Sequence, residues 1–339
     1  MRRILVLSDG VAGHDRASDG IVNALKRLAP SEAQWLAIGE VRPRSRRLAR
    51  LAAAKTDPAR WLARNTRLDP SRMAAPLQPQ SLADWPAAAE VVVSTGPATA
   101  AANIAAARRY GARNIYYGFP KFPVVGFTLL LSPLPSAARS VAVAPRPSTV
   151  ANRARPAARP LERGEVRSIA LLVGGDTKHH RYAQTDMTAL GARCAAILSE
   201  RPTWHLRIFD SRRTAPAPFS ALEAALDRFA DRARVTRFAD AGLASNDDAF
   251  DCDVVCVTAD SLSMISEAIA AERPTVAIHA DAYRGPARDR REMNALHRAG
   301  LISPTSVSGL TAEVLERASI RVPAAATGSL QNVLRARGF

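Results

Sequence analysis

Thr258, Asp260, Ser261 and Ser263 place four hydrogen-bonding side chains within one short stretch. They follow an apolar run, residues 254–257, that reads as a buried parallel strand. They precede a helical pattern over residues 265–271 and a second apolar run at 275–278. The whole is a strand–turn–helix–strand unit. A helix N-terminus leaves backbone N–H groups without intrahelical partners and favours an anion. Met264 lies beside the turn, and Glu267 stands one to two turns into the helix, within reach of a ligand held there. Capping alone needs one Ser or Asp. Four polar side chains at this place fit the binding of a phosphate-bearing sugar donor, against a cap with a solvated Glu as the plainer reading.

Four further motifs follow apolar runs. Ser8-Asp9-Gly10-Val11-Ala12-Gly13-His14 carries two glycines that permit a tight turn and close backbone approach. His14 is a candidate general base because an imidazole can take up and release a proton, with Asp9 as its rival; a histidine lining a helix start is the alternative. Thr95 and Gly96, in Ser94-Thr95-Gly96-Pro97, suit either an acceptor's polar group or a plain turn and cap. Gly174-Gly175-Asp176-Thr177-Lys178 exposes backbone N–H groups next to a hydroxyl and an ammonium, which suits phosphate. It lacks the Gly-Lys-Ser/Thr order of a P-loop. The adjacent His179 and His180 have no evident set of co-ligands, so no metal is expected. Ser211-Arg212-Arg213-Thr214 offers two guanidiniums able to neutralise a diphosphate by bidentate contacts without a metal; a solvated surface pair is the alternative.

The elements that must position these residues alternate. In the first half, strands are expected at residues 4–7, 34–38, 90–94 and 114–117, with helices at 18–28, 46–64 and 98–110. Residues 143–166 hold four prolines without periodicity and read as a linker. The pattern then restarts, with strands at 168–173, 204–209, 234–238 and 254–257 and helices at 185–199 and 218–229. Alternating strands and helices predict α/β architecture with two Rossmann-like, doubly wound domains facing a cleft. The expected division is an N-terminal acceptor-side domain over 1–145, a linker over 146–166, a donor-side domain over 167–312, and a C-terminal segment over 313–339 that packs back on the first domain.

Composition narrows the class. A chain of 339 residues has room for two domains, and its 47% hydrophobic content argues against disorder. Three cysteines are too few for a disulfide framework and suggest a reducing, cytoplasmic setting. No segment reaches the length of a membrane span. The longest apolar run, residues 124–131, is broken by Gly126 and Thr128. The net charge of +16 is concentrated in the first half, above all in the stretch that opens at Arg42 and closes at Arg72, with ten basic and two acidic residues. Such a patch suits an anionic membrane surface at the inner face of the envelope, with solvated arginine as the alternative. Only Trp61 interleaves with these basic residues, so no nucleic-acid partner is expected. The oligomeric state is not legible.

Taken together, Asp9-Gly10 with Gly13-His14, Gly174-Gly175-Asp176, Ser211 to Thr214, and Thr258 through Ala268 resemble the mitochondrial fission Elm-type family, which has many bacterial members. The resemblance spans most of the chain and is strongest from about residue 168 to 280. The family in turn looks like the GT-B glycosyltransferases. The turn before His14 is similar to the first loop of the lipid II-forming transferase of peptidoglycan synthesis. Asp15-Arg16 stands where family members usually have Asn-Gln, and Leu129 to Pro133 stands near the family's Pro-Glu-His-Asp motif. No acid–base role carries over to that segment. The resemblance implies metal-independent glycosyl transfer from a nucleotide sugar, without a cofactor, to a lipid-linked or envelope-glycan acceptor. It implies ribose binding by Glu267. Two alternatives stand beside it: a nucleotide-sugar epimerase, with Asp176 as its carboxylate, and a non-enzymatic membrane adaptor.

Overall fold

The structure is a computed structural model and describes residues 1–38, 46–66, 85–119, 124–152, 161–162, 164–177, 182–241, 247–282, 285–320 and 330–339. Lys178, His179, His180 and parts of the 42–72 and 143–166 stretches lie outside the described residues. The chain divides into two compact units. The first is Met1–Asn152 with Gly328–Phe339; the second is Arg153–Thr327.

Unit 1 begins with β1 (Arg2–Ser8), α1 (Ala12–Leu28), β2 (Ser31–Ala37), α2 (Arg46–Lys55) and α3 (Pro58–Asn65). It continues through β3 (Val91–Thr95), α4 (Ala100–Tyr110), β4 (Arg113–Tyr117), β5 (Leu129–Ser132) and β6 (Val141–Val143). Its six strands are all parallel, in the order β2-β1-β3-β4-β5-β6. Every residue of β3 and β5 is buried, as expected where helices cover both faces of a parallel sheet. Alternation splits the core. Leu5, Leu7, Val92, Tyr116 and Leu130 pack on the face of α2, α3 and α4. Ile4, Val6, Val91, Val93 and Ile115 pack on the face of α1. The basic helical stretch is two helices, because Asp57 caps the second by accepting the Arg60 N–H at 2.7 Å and Pro58 opens it.

Unit 2 runs β7 (Ser168–Leu172), α5 (Gln184–Glu200), β8 (His205–Phe209), α6 (Pro216–Ala224), β9 (Ala233–Thr236), α7 (Phe238–Ala241) and β10 (Val254–Thr258). It ends with α8 (Leu262–Ala270), β11 (Thr275–His279), α9 (Ala287–Arg298), β12 (Ser303–Ser306) and α10 (Ala312–Ile320). Its parallel sheet has the order β12-β11-β10-β7-β8-β9. Pro304, which has no N–H to donate, sits in the edge strand β12. The chain then returns to unit 1 as α11 (Leu330–Ala336). Leu334 and Phe339 are buried in the core on the α1 face, and Arg113 donates to the carbonyls of Gly338 and Arg337 at 2.7 and 2.6 Å. Among the described residues no helix is long and apolar enough to cross a membrane.

Each sheet reverses its strand order once: between β1 and β3 in unit 1, and between β7 and β10 in unit 2. The loops leaving adjacent strands diverge at such a point and open a crevice at the carboxyl ends. Asp9 to His14, Gly96, Gly174-Gly175 and Asp260 to Ser263 lie in the loops after these four strands or in the helix turns those loops lead into.

Candidate functional site

In unit 1, α1 starts at Ala12, so Gly13 and His14 occupy its first turn rather than a preceding loop. The Val11 carbonyl accepts the N–H groups of His14 and Asp15 and closes that turn. Gly10 takes a φ of 74°, which a glycine adopts without strain. The turn brings His14 Nδ1 to 3.0 Å from both carboxylate oxygens of Asp9. A carboxylate only accepts, so Nδ1 carries a proton, and in the neutral ring Nε2 holds the lone pair. The contact lets Asp9 orient the His14 ring.

Gly96 completes this corner from β3. Its φ is 98°, and a Cβ there would lie 2.3 Å from His14 Nδ1 and 2.7 Å from an Asp9 oxygen. Only a hydrogen leaves room for the pair. Thr95 is buried and accepts a hydrogen bond from Ser18 at 3.0 Å, so its hydroxyl faces α1. Arg146 donates to the Gly13 carbonyl at 3.0 Å. Asp15, next to His14, is 2% exposed, and its Oδ1 has no hydrogen-bond partner among the described residues. Burial raises its pKa, the Ser8 hydroxyl lowers it, and the charge of Asp9 raises it further.

Unit 2 uses its polar residues differently. The Gly174 N–H donates to Thr258 Oγ1 at 2.7 Å, and the Gly175 N–H to Asp260 Oδ2 at 2.9 Å. The N–H groups expected to face a phosphate therefore tie the β7 loop to the β10 loop. A Cβ on Gly174 would lie 2.1 Å from the Asp260 carboxylate, and one on Gly175 would lie 1.9 Å from the Arg213 carbonyl. The Thr214 hydroxyl donates to the Val173 and Gly174 carbonyls and accepts the Ser211 N–H at 2.8 Å. The Asp176 N–H reaches the Arg213 carbonyl at 3.3 Å. Three loops are laced into one scaffold whose centre is the Asp260 side chain, 0% exposed.

At the edge of that scaffold, Arg213 Nη2 lies 3.4 Å from Asp260 Oδ2. Asp260 is two residues before α8, which starts at Leu262 and includes Ser263 and Met264 in its first turn. The N-cap Ser261 makes no side-chain capping bond, and the first turn of α8 carries the positive end of the helix dipole. Ser263, Arg212, Arg213 and Asp176 are exposed, Thr177, Ser211 and Glu267 are half-buried, and Met264 is buried. Gly96 and His14 follow different strands, so nothing in the amino-acid order signals that Gly96 shapes the His14 corner.

The folds of known proteins agree. A putative UDP-N-acetylglucosamine 2-epimerase from Listeria monocytogenes is 13% identical and superposes with a TM-score of 0.55, covering 98% of this chain and 95% of its own. MurG of Acinetobacter baumannii is also 13% identical, with a TM-score of 0.49 and 98% coverage of both chains. MnaA of S. aureus, solved with UDP, is 11% identical with a TM-score of 0.46, covering 97% and 92%. No curated protein matches the sequence. The two parallel α/β units have the GT-B type of fold. A model of the mitochondrial fission ELM1 family matches residues 12–326, and the chain belongs to that family.

Proposed function

We propose that the protein is a GT-B-type glycosyltransferase that takes a nucleotide-sugar donor on unit 2 and needs no metal to do so. The observation that carries this reading is the Arg213 guanidinium beside Asp260, at the uncapped start of α8. A diphosphate there meets Arg212, Arg213 and the first N–H groups of α8, with the Ser263 hydroxyl alongside. Those charges stabilise the diphosphate as it leaves, the role a divalent cation plays elsewhere. Thr177 and Ser211 extend the same wall. Glu267, in the second turn of α8, holds the ribose hydroxyls. Gly174, Gly175, Thr214, Thr258 and Asp260 act by fixing the loops, as their hydrogen bonds indicate. On unit 1, His14 Nε2 takes the proton of the acceptor hydroxyl while Asp9 holds the ring and stabilises the imidazolium. Gly10 and Gly13 allow the acceptor close to the backbone, and Thr95 and Gly96 back the pair.

UDP is the first probe, because the Listeria neighbour is named for a UDP sugar. Calorimetric titration is expected to show UDP binding that Arg212→Ala, Arg213→Ala and Glu267→Ala each weaken about tenfold. No binding of any nucleoside diphosphate at millimolar concentration would end the donor reading. His14→Ala is expected to abolish transfer while leaving UDP affinity unchanged. Epimerisation is the second reading, since that same neighbour is titled an epimerase. It requires an acid–base carboxylate such as the exposed Asp176, and solvent deuterium entering the sugar of the donor without acceptor would establish it instead.

The exposed Arg47, Lys55, Arg60 and Arg64 of α2 and α3, with Leu48 at 64% exposure, suit an anionic bilayer. Trp61 is buried and is therefore withdrawn from any base-stacking surface. Binding to phosphatidylglycerol vesicles but not to phosphatidylcholine vesicles is the expected result; binding to neither rejects a membrane location through this face.

A further inference from the structure

The amino ends of the unit 1 strands, at the far end of the sheet from His14, hold a second group of charges. Arg2 opens β1 and Arg113 opens β4. They share the parity of Ile4 and Ile115, which pack on the α1 face, so both guanidiniums belong to that face. Between the two strands runs β3, and just before it Glu90 accepts the Arg3 N–H at 2.7 Å. Arg2, Pro30, Glu90, Val91, Arg113 and Phe339 line a cavity of about 490 Å³ there. That size admits a small organic molecule. Arg113 is already engaged: it donates to the Gly338 and Arg337 carbonyls, and its guanidinium carbon lies 3.6 Å from the centre of the Phe339 ring. Arg2 is not. Its Nη1 is shielded from water and has no hydrogen-bond partner among the described residues. A donor held out of water without an acceptor is unfavourable. Burial lowers the Arg113 pKa, and the Arg2 charge lowers it further. The side chains that line the cavity thus bring two guanidiniums against one carboxylate.

We propose that this cavity binds a small organic monocarboxylate, its charged end on Arg2 and its apolar body against Pro30, Val91 and Phe339. A carboxylate matches the paired N–H donors of a planar guanidinium. Arg2 is half-buried, so a change of rotamer turns its shielded nitrogen towards the ligand. Glu90 sets the charge: one negative charge balances the lining, whereas a phosphate dianion meets the repulsion of its carboxylate. Arg113 positions the site, since it ties the C-terminal segment to the sheet and holds Phe339 in place. A ligand seated between Arg2 and Phe339 therefore joins the first strand to the last residues of unit 1 and stabilises their docking. The seven residues of β1 put roughly 20 Å between this cavity and the His14 loop, so the site does not depend on the transfer reading.

The test titrates the full chain with benzoate and, in parallel, with neutral benzamide and with inorganic phosphate, while NMR follows the backbone amide signals of Val91 and Phe339. Saturable movement of both signals with benzoate is expected, with benzamide and phosphate each about tenfold weaker or worse. Arg2→Gln should weaken benzoate about tenfold. Nη1 of Arg2 holds no partner among the described residues, so this substitution should leave the fold intact, and an unchanged spectrum elsewhere checks it. Benzoate should also raise the Tm of the wild type and leave that of Arg2→Gln where it is. Arg212→Ala, which alters unit 2, should not change the benzoate titration. No saturable response to benzoate overturns the proposal, as does a response indifferent to Arg2→Gln. Equal binding of benzamide overturns the role of charge, and tighter binding of phosphate overturns the choice of a monocarboxylate. Benzoate binding without UDP binding keeps this site and rejects the donor reading; UDP binding without a benzoate response does the reverse.

Discussion

The two units present the same architecture at their switch points and spend their polar residues in opposite ways. In unit 1, Asp9 and His14 are paired with each other through Nδ1. In unit 2, Thr258, Asp260, Thr214 and two glycine N–H groups are consumed by the scaffold, and the groups left at its edge are Arg212, Arg213, Ser263 and the start of α8. One corner pairs a histidine with a carboxylate; the other leaves exposed cationic groups at the edge of a hydrogen-bonded scaffold. This division suits a reaction in which one substrate must be deprotonated and the other must be held by its phosphates. It also shows that a polar residue at a strand end is not thereby a ligand contact. Its hydrogen bonds decide.

Substituting the glycines tests the contrast most sharply. Gly175→Ala places a methyl 1.9 Å from the Arg213 carbonyl and 2.6 Å from the Thr214 nitrogen, both backbone. The laced loops must part to admit it, and a loss of about 3 kcal/mol in urea unfolding is expected, with UDP affinity falling alongside. A stability within a few tenths of wild type would mean that the scaffold is loose. Gly96→Ala meets side chains instead: the His14 ring at 2.3 Å and an Asp9 oxygen at 2.7 Å. The ring can swing away, so the stability cost is that of alanine at a left-handed φ, about 1–2 kcal/mol. The chemical cost is larger. His14 should lose its Asp9 contact and activity should collapse while UDP binding persists. An unchanged His14 titration by NMR would show that Gly96 does not govern the pair.

Much of the fold is visible in the amino-acid order because parallel strands covered on both faces appear as unbroken apolar runs. Residues 4–7, 254–257 and 275–278 announce β1, β10 and β11 for that reason. The short strands escape. β6 is three residues long, and β12, Ser303-Pro304-Thr305-Ser306, has no strongly apolar residue to mark it. The early starts of α1 and α8 escape as well, since Gly13, His14 and Ser263 are poor helix formers and resemble loop residues. Within the sites, residue types are legible but partnerships are not. Asp9 and His14 read as separate groups, and the strand-to-helix turn brings them into hydrogen-bond contact. Gly175 and Asp260 are 85 positions apart, and nothing local says that one N–H seals the other's carboxylate. Arg50 is hidden inside a basic run whose neighbours are solvated, so its burial has no signature in the sequence.

The smallest effect concerns the carboxyl that unit 1 leaves incompletely satisfied. Asp15, next to His14 in the chain, is buried, and one of its oxygens lacks a partner among the described residues. Desolvation raises its folded-state pKa above the ordinary 3.8, and Asp9's charge adds to the rise. Below the unfolded value the acid is protonated in both states and its contribution to stability is fully present. As pH climbs through the folded value, the unfolded chain releases its proton more readily, and that contribution is lost. Asparagine has no such titration and still accepts the Ser8 hydroxyl. Asp15→Asn should therefore be more stable than wild type by about 1 kcal/mol at neutral pH, with the gain fading towards about pH 4. Urea unfolding at the two pH values measures the difference directly. A gain of equal size at both would assign the effect to packing rather than charge. A loss at neutral pH would show that the Asp15 carboxylate is stabilised as an anion, and unit 1 would then resemble unit 2 in holding a buried carboxylate as a strut.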